Sequence, residues 1–406
     1  MKHVIIGAGA AGLTAAKTIR ALRPSDEIVV ISEDEQVISR CMLHKCINGE
    51  RDPVSISFVP EDFFEQCGIE WLGGTRVTGV NTVMKAVCYD SGCVVYDKLL
   101  IATGSEVVFP PVGELRTANN VYGLRNLSDA GGIRNAAMHA SKVVIVGAGL
   151  VGLDAAYSLL DMGKHVTVVE MMPQLIPLSL DEKSARAYQE RFEAAGCEFR
   201  LGRKVVDTTG DVAGSLTYIH LDDGSLLPCD FVIVAVGVRP ATGLLGSSGI
   251  IHDPAIRVDN HMTTNDPDVF AAGDAAGLSG IWPNAMRQGL VAAKNMCGQG
   301  EEYTDRFAAR NTINFYGLLT LAIGDREPGA GDTIVTRENT HNYRRVILHD
   351  GYVKGVILQG DISGSGFWQY LIKEKVYVNG VNKSIWKLSF ADFCAINGAG
   401  EYHWAV

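Results

Sequence analysis

The sequence predicts an α/β chain: two three-layer units, each a parallel sheet between helices, then an α+β domain. Three observations carry this. Val4 to Ala16 reads VIIGAGAAGLTAA, and 140 positions later Val144 to Ala156 reads VIVGAGLVGLDAA. Each phrase is a buried strand, a G-x-G-x-x-G turn and a helix start. A second pair of phrases repeats as well, from Asp97 to Gly104 and from Asp230 to Gly237, each an apolar strand ending in small residues. Past Gly300 the pattern changes to strands and hairpins, as in Tyr343 to Leu348, His349-Asp350-Gly351 and Val353 to Leu358. An Asp-Gly pair between apolar strands signals a hairpin.

The glycines explain themselves chemically. Gly7 and Gly147 allow the tight turn. Gly9 and Gly149 let a pyrophosphate approach the backbone, and Gly12 and Gly152 let helix pack on strand. The anion then rests on free N–H groups at the helix N-terminus, beside Ala11 in the first turn and Leu150 and Val151 in the second. Two such turns imply two dinucleotides, and so redox transfer between them. The first helix is expected from about Ala10 to Leu22, the next strand from Ile28 to Ser32. That strand ends at Glu33, 21 positions after Gly12, where a carboxylate can hold a ribose. The second unit repeats this with a helix from about Leu150 to Met162 and a strand from His165 to Val169 that ends at Glu170. No arginine follows in Met171 to Leu175. A carboxylate repels a 2′-phosphate, so the second nucleotide reads as NAD(H) rather than NADP(H). Val77 to Tyr96 and Val205 to Leu227 alternate apolar residues with turn signals and read as small antiparallel sheets. Pro267 to Ala276 is a further buried strand ending at Gly273-Asp274, with a helix from Asn284 to Met296 behind it.

Composition narrows the classes. A chain of 406 residues, 47% hydrophobic, can build two or three cores. A net charge of −10 argues against nucleic acid or an anionic membrane as partner. No apolar run is long enough to span a bilayer. Met1 leads within three residues into a core strand, so a cytoplasmic protein without signal peptide is expected. The nine cysteines should then be largely reduced core thiols, with Cys41 and Cys46 alone worth individual treatment. No cysteine or histidine cluster suggests a metal.

In order along the chain, the Gly7–Gly12 turn, Ala102-Thr103-Gly104, the Gly147–Gly152 turn and Phe270 to Asp274 resemble the FAD-dependent pyridine nucleotide-disulfide oxidoreductases. Ser39 to Gly49, Val121 to Ala130, Trp282 to Gly289, Asn314 to Gly317 and Gly355 to Ile362 resemble the branch of NADH:rubredoxin reductases, nitrite reductase flavin domains and NADH oxidases. The resemblance implies a discontinuous FAD domain (1–112 and 240–300), an NADH domain (113–239) and a C-terminal domain (301–406) of a kind that often makes dimers. It implies that Glu33 holds the FAD ribose and Asp274 the ribityl chain. Val77, Ala102, Thr103, Gly104, Gly273 and Trp282 would border FAD, and Gly237 the nicotinamide. Arg40 would sit near the flavin or its pyrophosphate, Lys45 beside flavin N5, and Asp154 near the stacked rings, where relatives have glutamate. The reaction implied is hydride transfer from NADH to FAD, then electron transfer to a rubredoxin- or ferredoxin-like protein or a partner subunit. Cys41 leaves alternatives open. It stands where relatives have proline or a single redox cysteine, and Arg40 and a helix start beside it would lower its pKa. An oxidase or peroxidase using Cys41, a disulfide reductase pairing it with Cys46, and an assembly subunit keeping FAD for structure are the other readings.

Overall fold

The computed structural model describes residues 1–304, 310–396 and 398–404. The chain forms two compact units: Met1–Pro173 with Ala195–Arg306, and Gln174–Ala194 with Phe307–Val406.

The first unit holds both repeated phrases. Its first sheet is parallel, ordered Val269–Ala271, Lys98–Ile101, Lys2–Ile6, Glu27–Ile31, Glu70–Leu72. The strand Lys2–Ile6 is central and buried on both faces, which is why it reads as an unbroken apolar run. Its second sheet repeats the plan, ordered Glu198–Leu201, His165–Glu170, Lys142–Val146, Phe231–Val234, Val121–Tyr122. The helices Ala10–Leu22 and Leu150–Asp161 follow the two glycine turns. Alanines on the inner face of Ala10–Leu22 let it pack closely on the helix Trp282–Met296, which starts two residues before the expected Asn284. Both predicted antiparallel sheets are present: Val77–Asn81, Ala86–Tyr89, Gly92–Val95, and Val205–Gly210, Leu216–Leu221, Leu226–Pro228. Ser105–Val107 pairs with Val238–Pro240, so the chain leaves the first sheet and returns to it along one two-stranded seam.

One pair of cysteines departs from the expectation of largely reduced core thiols. Cys88 and Cys93 face each other in the hairpin register and form a disulfide. Among the described residues the other seven cysteines form no disulfide, Cys41 and Cys46 among them. Cys197, Cys229 and Cys297 are the buried ones.

In the second unit the antiparallel sheet runs Arg310–Phe315, Leu318–Gly324, Tyr352–Gln359, Tyr343–His349, Thr333–Glu338. Asp350 and Gly351 both adopt positive φ (48° and 83°), the conformation a two-residue hairpin requires. The helix Ser365–Lys373 closes this core with Trp368 and Leu371. The helix Glu182–Ala194, placed by sequence order within 113–239, belongs to this unit as well. Its Tyr188 is fully buried, and the hydroxyl meets Thr320 Oγ1 and Leu318 O, both at 2.8 Å.

Candidate functional site

Local backbone geometry makes the two glycine turns. Gly7 has φ +105°, and a Cβ there would meet Ala102 O at 2.2 Å. A Cβ on Gly12 would meet Gly7 O at 1.9 Å, so helix and strand touch through this glycine. Gly9 differs: nothing lies within 4 Å of where its Cβ would stand. Gly147, Gly152 and Gly149 repeat the pattern, with clashes of 2.4 and 2.0 Å at the first two and open space at the third. Both helices lack a side-chain cap and an acid in the first turn, so their N-terminal N–H groups suit an anion.

A cavity of about 1510 Å³ opens from the first turn. It is lined by Gly7, Gly9 and Ala11 at the turn, by Glu33 and Val77 beside it, and by Ala102, Thr103 and Gly104 from the return strand. Arg40, Cys41, Gly273, Asp274 and Trp282 line the rest. Gly12 lies behind the turn, as its packing role requires. The size and open cradle at Gly9 fit a dinucleotide as large as FAD.

Asp274 is held firmly. Its Oδ2 accepts from Ser105 Oγ at 2.7 Å and from Arg125 Nη2 at 2.8 Å. Gly273 (φ +75°) turns it into place, and the Gly273 N–H donates to the buried Gln288 Oε1 at 2.8 Å. Sequence reasoning missed Ser105 and Arg125. Arg125 lay in a quoted phrase, but no local pattern marked it as a cavity cation.

Arg40 and Lys45 are engaged elsewhere. Arg40 lines the cavity, yet its guanidinium donates to Asp34 at 2.7 Å. Lys45 donates to Glu50 at 2.5 Å and is not among the described residues that line the cavity. Glu33 is largely exposed, with Arg76 at 3.7 Å. Glu170 is preorganised: one oxygen accepts from Ala148 N at 2.8 Å, the other from Met172 N at 2.9 Å. Leu150 and Val151 open the helix Leu150–Asp161 after the second glycine turn, and Gly237 (φ +131°) has open space where a Cβ would be.

Cys41, which the sequence left open between an inert thiol and an activated one, stands in surroundings that favour the protonated thiol. Arg40–Met42 is a single 3₁₀ turn, too short for an appreciable dipole, and Arg40 serves Asp34. Surrounding protein pushes the Cys41 thiol pKa up, and Asp154 adds to this against an opposing pull from Arg125. Water reaches Cys41 through the cavity, so it is both exposed and walled by protein.

Behind Cys41, the segment His44–Ile47 docks on two helices of the second sheet. Ser158 Oγ donates to His44 O at 2.8 Å, Asn48 Nδ2 to Asp161 at 3.0 Å, and Arg134 Nη1 to Ile47 O at 3.1 Å. Here His44 Nδ1 stands 3.7 Å from Asp154 Oδ1. Burial drives His44 down to about 4, with Lys45 adding to it. Burial pushes the Asp154 carboxyl up to about 7, with Lys45 opposing. His44 was not singled out by the sequence; a histidine in a short polar helix carries no signal of its own.

Known proteins match this arrangement. The profile of the pyridine nucleotide-disulphide oxidoreductases matches residues 1–289. The epsilon subunit of the NADH-dependent phenylglyoxylate dehydrogenase of Aromatoleum evansii is 31% identical over 386 residues, 91% of each chain. An NADH oxidase of Methanocaldococcus jannaschii is 35% identical over 353 residues, 81% of this chain and 75% of that one. A solved covalent complex of putidaredoxin reductase and putidaredoxin superposes with a TM-score of 0.83 at 25% identity, over 93% of this chain and 94% of that one. With two glycine turns, a dinucleotide-sized cavity and a profile match over more than two thirds of its length, the chain belongs to the pyridine nucleotide-disulphide oxidoreductase family.

Proposed function

We propose that this chain is an NADH-dependent FAD oxidoreductase that passes electrons to a small iron–sulfur or rubredoxin-like protein, or to a partner subunit. The observation that carries the reading is the doubled glycine turn. One copy opens into a cavity ending at Asp274, and the other is paired with Glu170. Relatives named for NADH oxidation and a superposable putidaredoxin reductase support it. The reading keeps the cytoplasmic location and the homodimer expected from the sequence.

Bound FAD would supply the chemistry, accepting a hydride from NADH and releasing electrons to the acceptor. The chain's residues do the rest. Gly9 and the first turn of Ala10–Leu22 would hold the FAD pyrophosphate, Glu33 its ribose and Asp274 its ribityl hydroxyls. Arg125 and Ser105 fix Asp274 so that its carboxylate is ready before FAD binds. Glu170 would hold the NADH ribose, its orientation set by two backbone N–H groups. His44 and Asp154 hold protons unequally at neutral pH, the imidazole neutral and the carboxyl near its midpoint.

With Arg40 taken by Asp34, only a 3₁₀ turn at Arg40–Met42 and its thiol pushed up by the surrounding protein, Cys41 favours electron transfer without a Cys41 thiolate over the oxidase, peroxidase and disulfide-reductase readings. Stopped-flow mixing of NADH-reduced protein tests the acceptor. Reoxidation by an oxidised ferredoxin or rubredoxin should be faster than by oxygen or peroxide. Faster reoxidation by peroxide, lost in Cys41→Ser, would instead establish the cysteine route.

A further inference from the structure

We propose that Cys88–Cys93 is a reversible thiol–disulfide site that tunes how tightly the adenosine end of the cavity grips FAD. It rests on the reading above that this cavity takes FAD.

The argument starts at the hairpin Ala86–Tyr89 and Gly92–Val95. Val87 is fully buried in the core under the first sheet, so Cys88, the next residue, faces outward. Cys93 is its direct cross-strand partner and is exposed. An external dithiol can therefore reach the bond. Reduction breaks the S–S bond and leaves two thiols, while the dithiol gives up two electrons and two protons and becomes a disulfide.

The hairpin is tied to the cavity through one residue. The strand Val77–Asn81 pairs with Ala86–Tyr89, but the register slips between Val77 and Gly79. Thr78 is the bulged residue, outside the regular ladder. Its hydroxyl donates to the carbonyl of Cys88 at 3.2 Å. Val77 and Thr78 both line the cavity, next to Thr75, Arg76 and Glu33. Cys88 thus carries the disulfide on its side chain and the acceptor for a cavity-wall residue on its backbone. A hairpin with four-residue strands is weak by itself, and the cross-link restrains the Cys88 strand. Reduction removes that restraint, the strand loosens at its tip, and Thr78 loses its anchor.

The experiment measures FAD affinity of the apoprotein by flavin fluorescence, before and after a dithiol, with alkylation and peptide mapping of Cys88 and Cys93. The oxidised protein should show both cysteines blocked, and reduction should free both. FAD affinity should then fall by about three- to tenfold, the size of one lost neutral hydrogen bond. Reoxidation should restore it. Thr78→Val should bind FAD with the reduced protein's affinity while keeping the disulfide, and should no longer respond to the dithiol. The wild-type comparison needs no substitution, so a misfolded variant leaves it intact. Free thiols at Cys88 and Cys93 in the oxidised protein, or equal FAD affinity in both states, would overturn the proposal. Failure to bind FAD in either state would overturn the underlying reading instead.

Discussion

At the residue scale, the opposed titrations of His44 and Asp154 give a testable signature. Asp154 is raised from an ordinary carboxylate value to about 7, so ionising it costs the folded state, and its contribution falls as pH rises from about 4 to 7. His44 is lowered to about 4, so its contribution is lost as pH falls from 6.5 toward 4. The two oppose each other over most of that window. Asp154→Asn should therefore gain stability relative to the parent as pH rises from 4 to 7, by about 4 kcal/mol at the upper end. His44→Asn should gain relative to the parent as pH falls below 6.5. Urea midpoints across pH measure both, and parallel parent and variant curves would refute the assignment. Asp274→Ala is a second residue-scale test. It removes a charge-assisted acceptor and leaves Arg125 without its carboxylate, so FAD affinity should drop by about ten- to a hundredfold. Equilibrium dialysis of FAD checks this. The sequence marks Asp274 through its Gly-Asp phrase but says nothing of Ser105 or Arg125, which reach it from 169 and 149 positions away. It also leaves Arg40 and Lys45 as free cations, because it does not show that Asp34 and Glu50 capture them.

At the element scale, each glycine turn divides its work between packing and access, and alanine substitutions separate the two. Gly12→Ala drives a methyl group into Gly7 O and should destabilise the apoprotein by about 1–3 kcal/mol, with FAD binding lost too. Gly9→Ala meets no protein atom and has φ −83°, so the apoprotein should stay within about 1 kcal/mol of the parent. Its FAD affinity should still fall at least about tenfold, since the methyl occupies the path to the backbone. Thermal unfolding and FAD titration of both variants would show the split; equal effects of both on stability would contradict it. These elements were legible because their signals are local: a period-3.6 helix after a glycine turn, an acid at the next strand's end, alternation in the small sheets. The Cys88–Cys93 pair was legible only in part. Two cysteines flank Tyr89-Asp90-Ser91-Gly92 in a segment read as a small antiparallel sheet, yet pairing depends on register, which alternation does not fix.

At the scale of the whole molecule, both nucleotide sheets lie in one compact unit, and the segment His44–Ile47 bonds across them. The order of the phrases disclosed this doubled plan, including the late strand Val269–Ala271 that rejoins the first sheet. The helix Glu182–Ala194 escaped it, because its amphipathic face does not say which sheet it covers. This unit is expected to bring NADH to a flavin that is reduced without participation of Cys41. Anaerobic titration of the FAD-loaded protein, followed by flavin absorbance, tests it most directly. Bleaching should be complete at about one NADH per FAD, and NADPH should bleach at least about tenfold more slowly because Glu170 faces its 2′-phosphate. A flavin that NADH leaves oxidised, or an endpoint of about two NADH per FAD that falls to one in Cys41→Ser, would contradict the account.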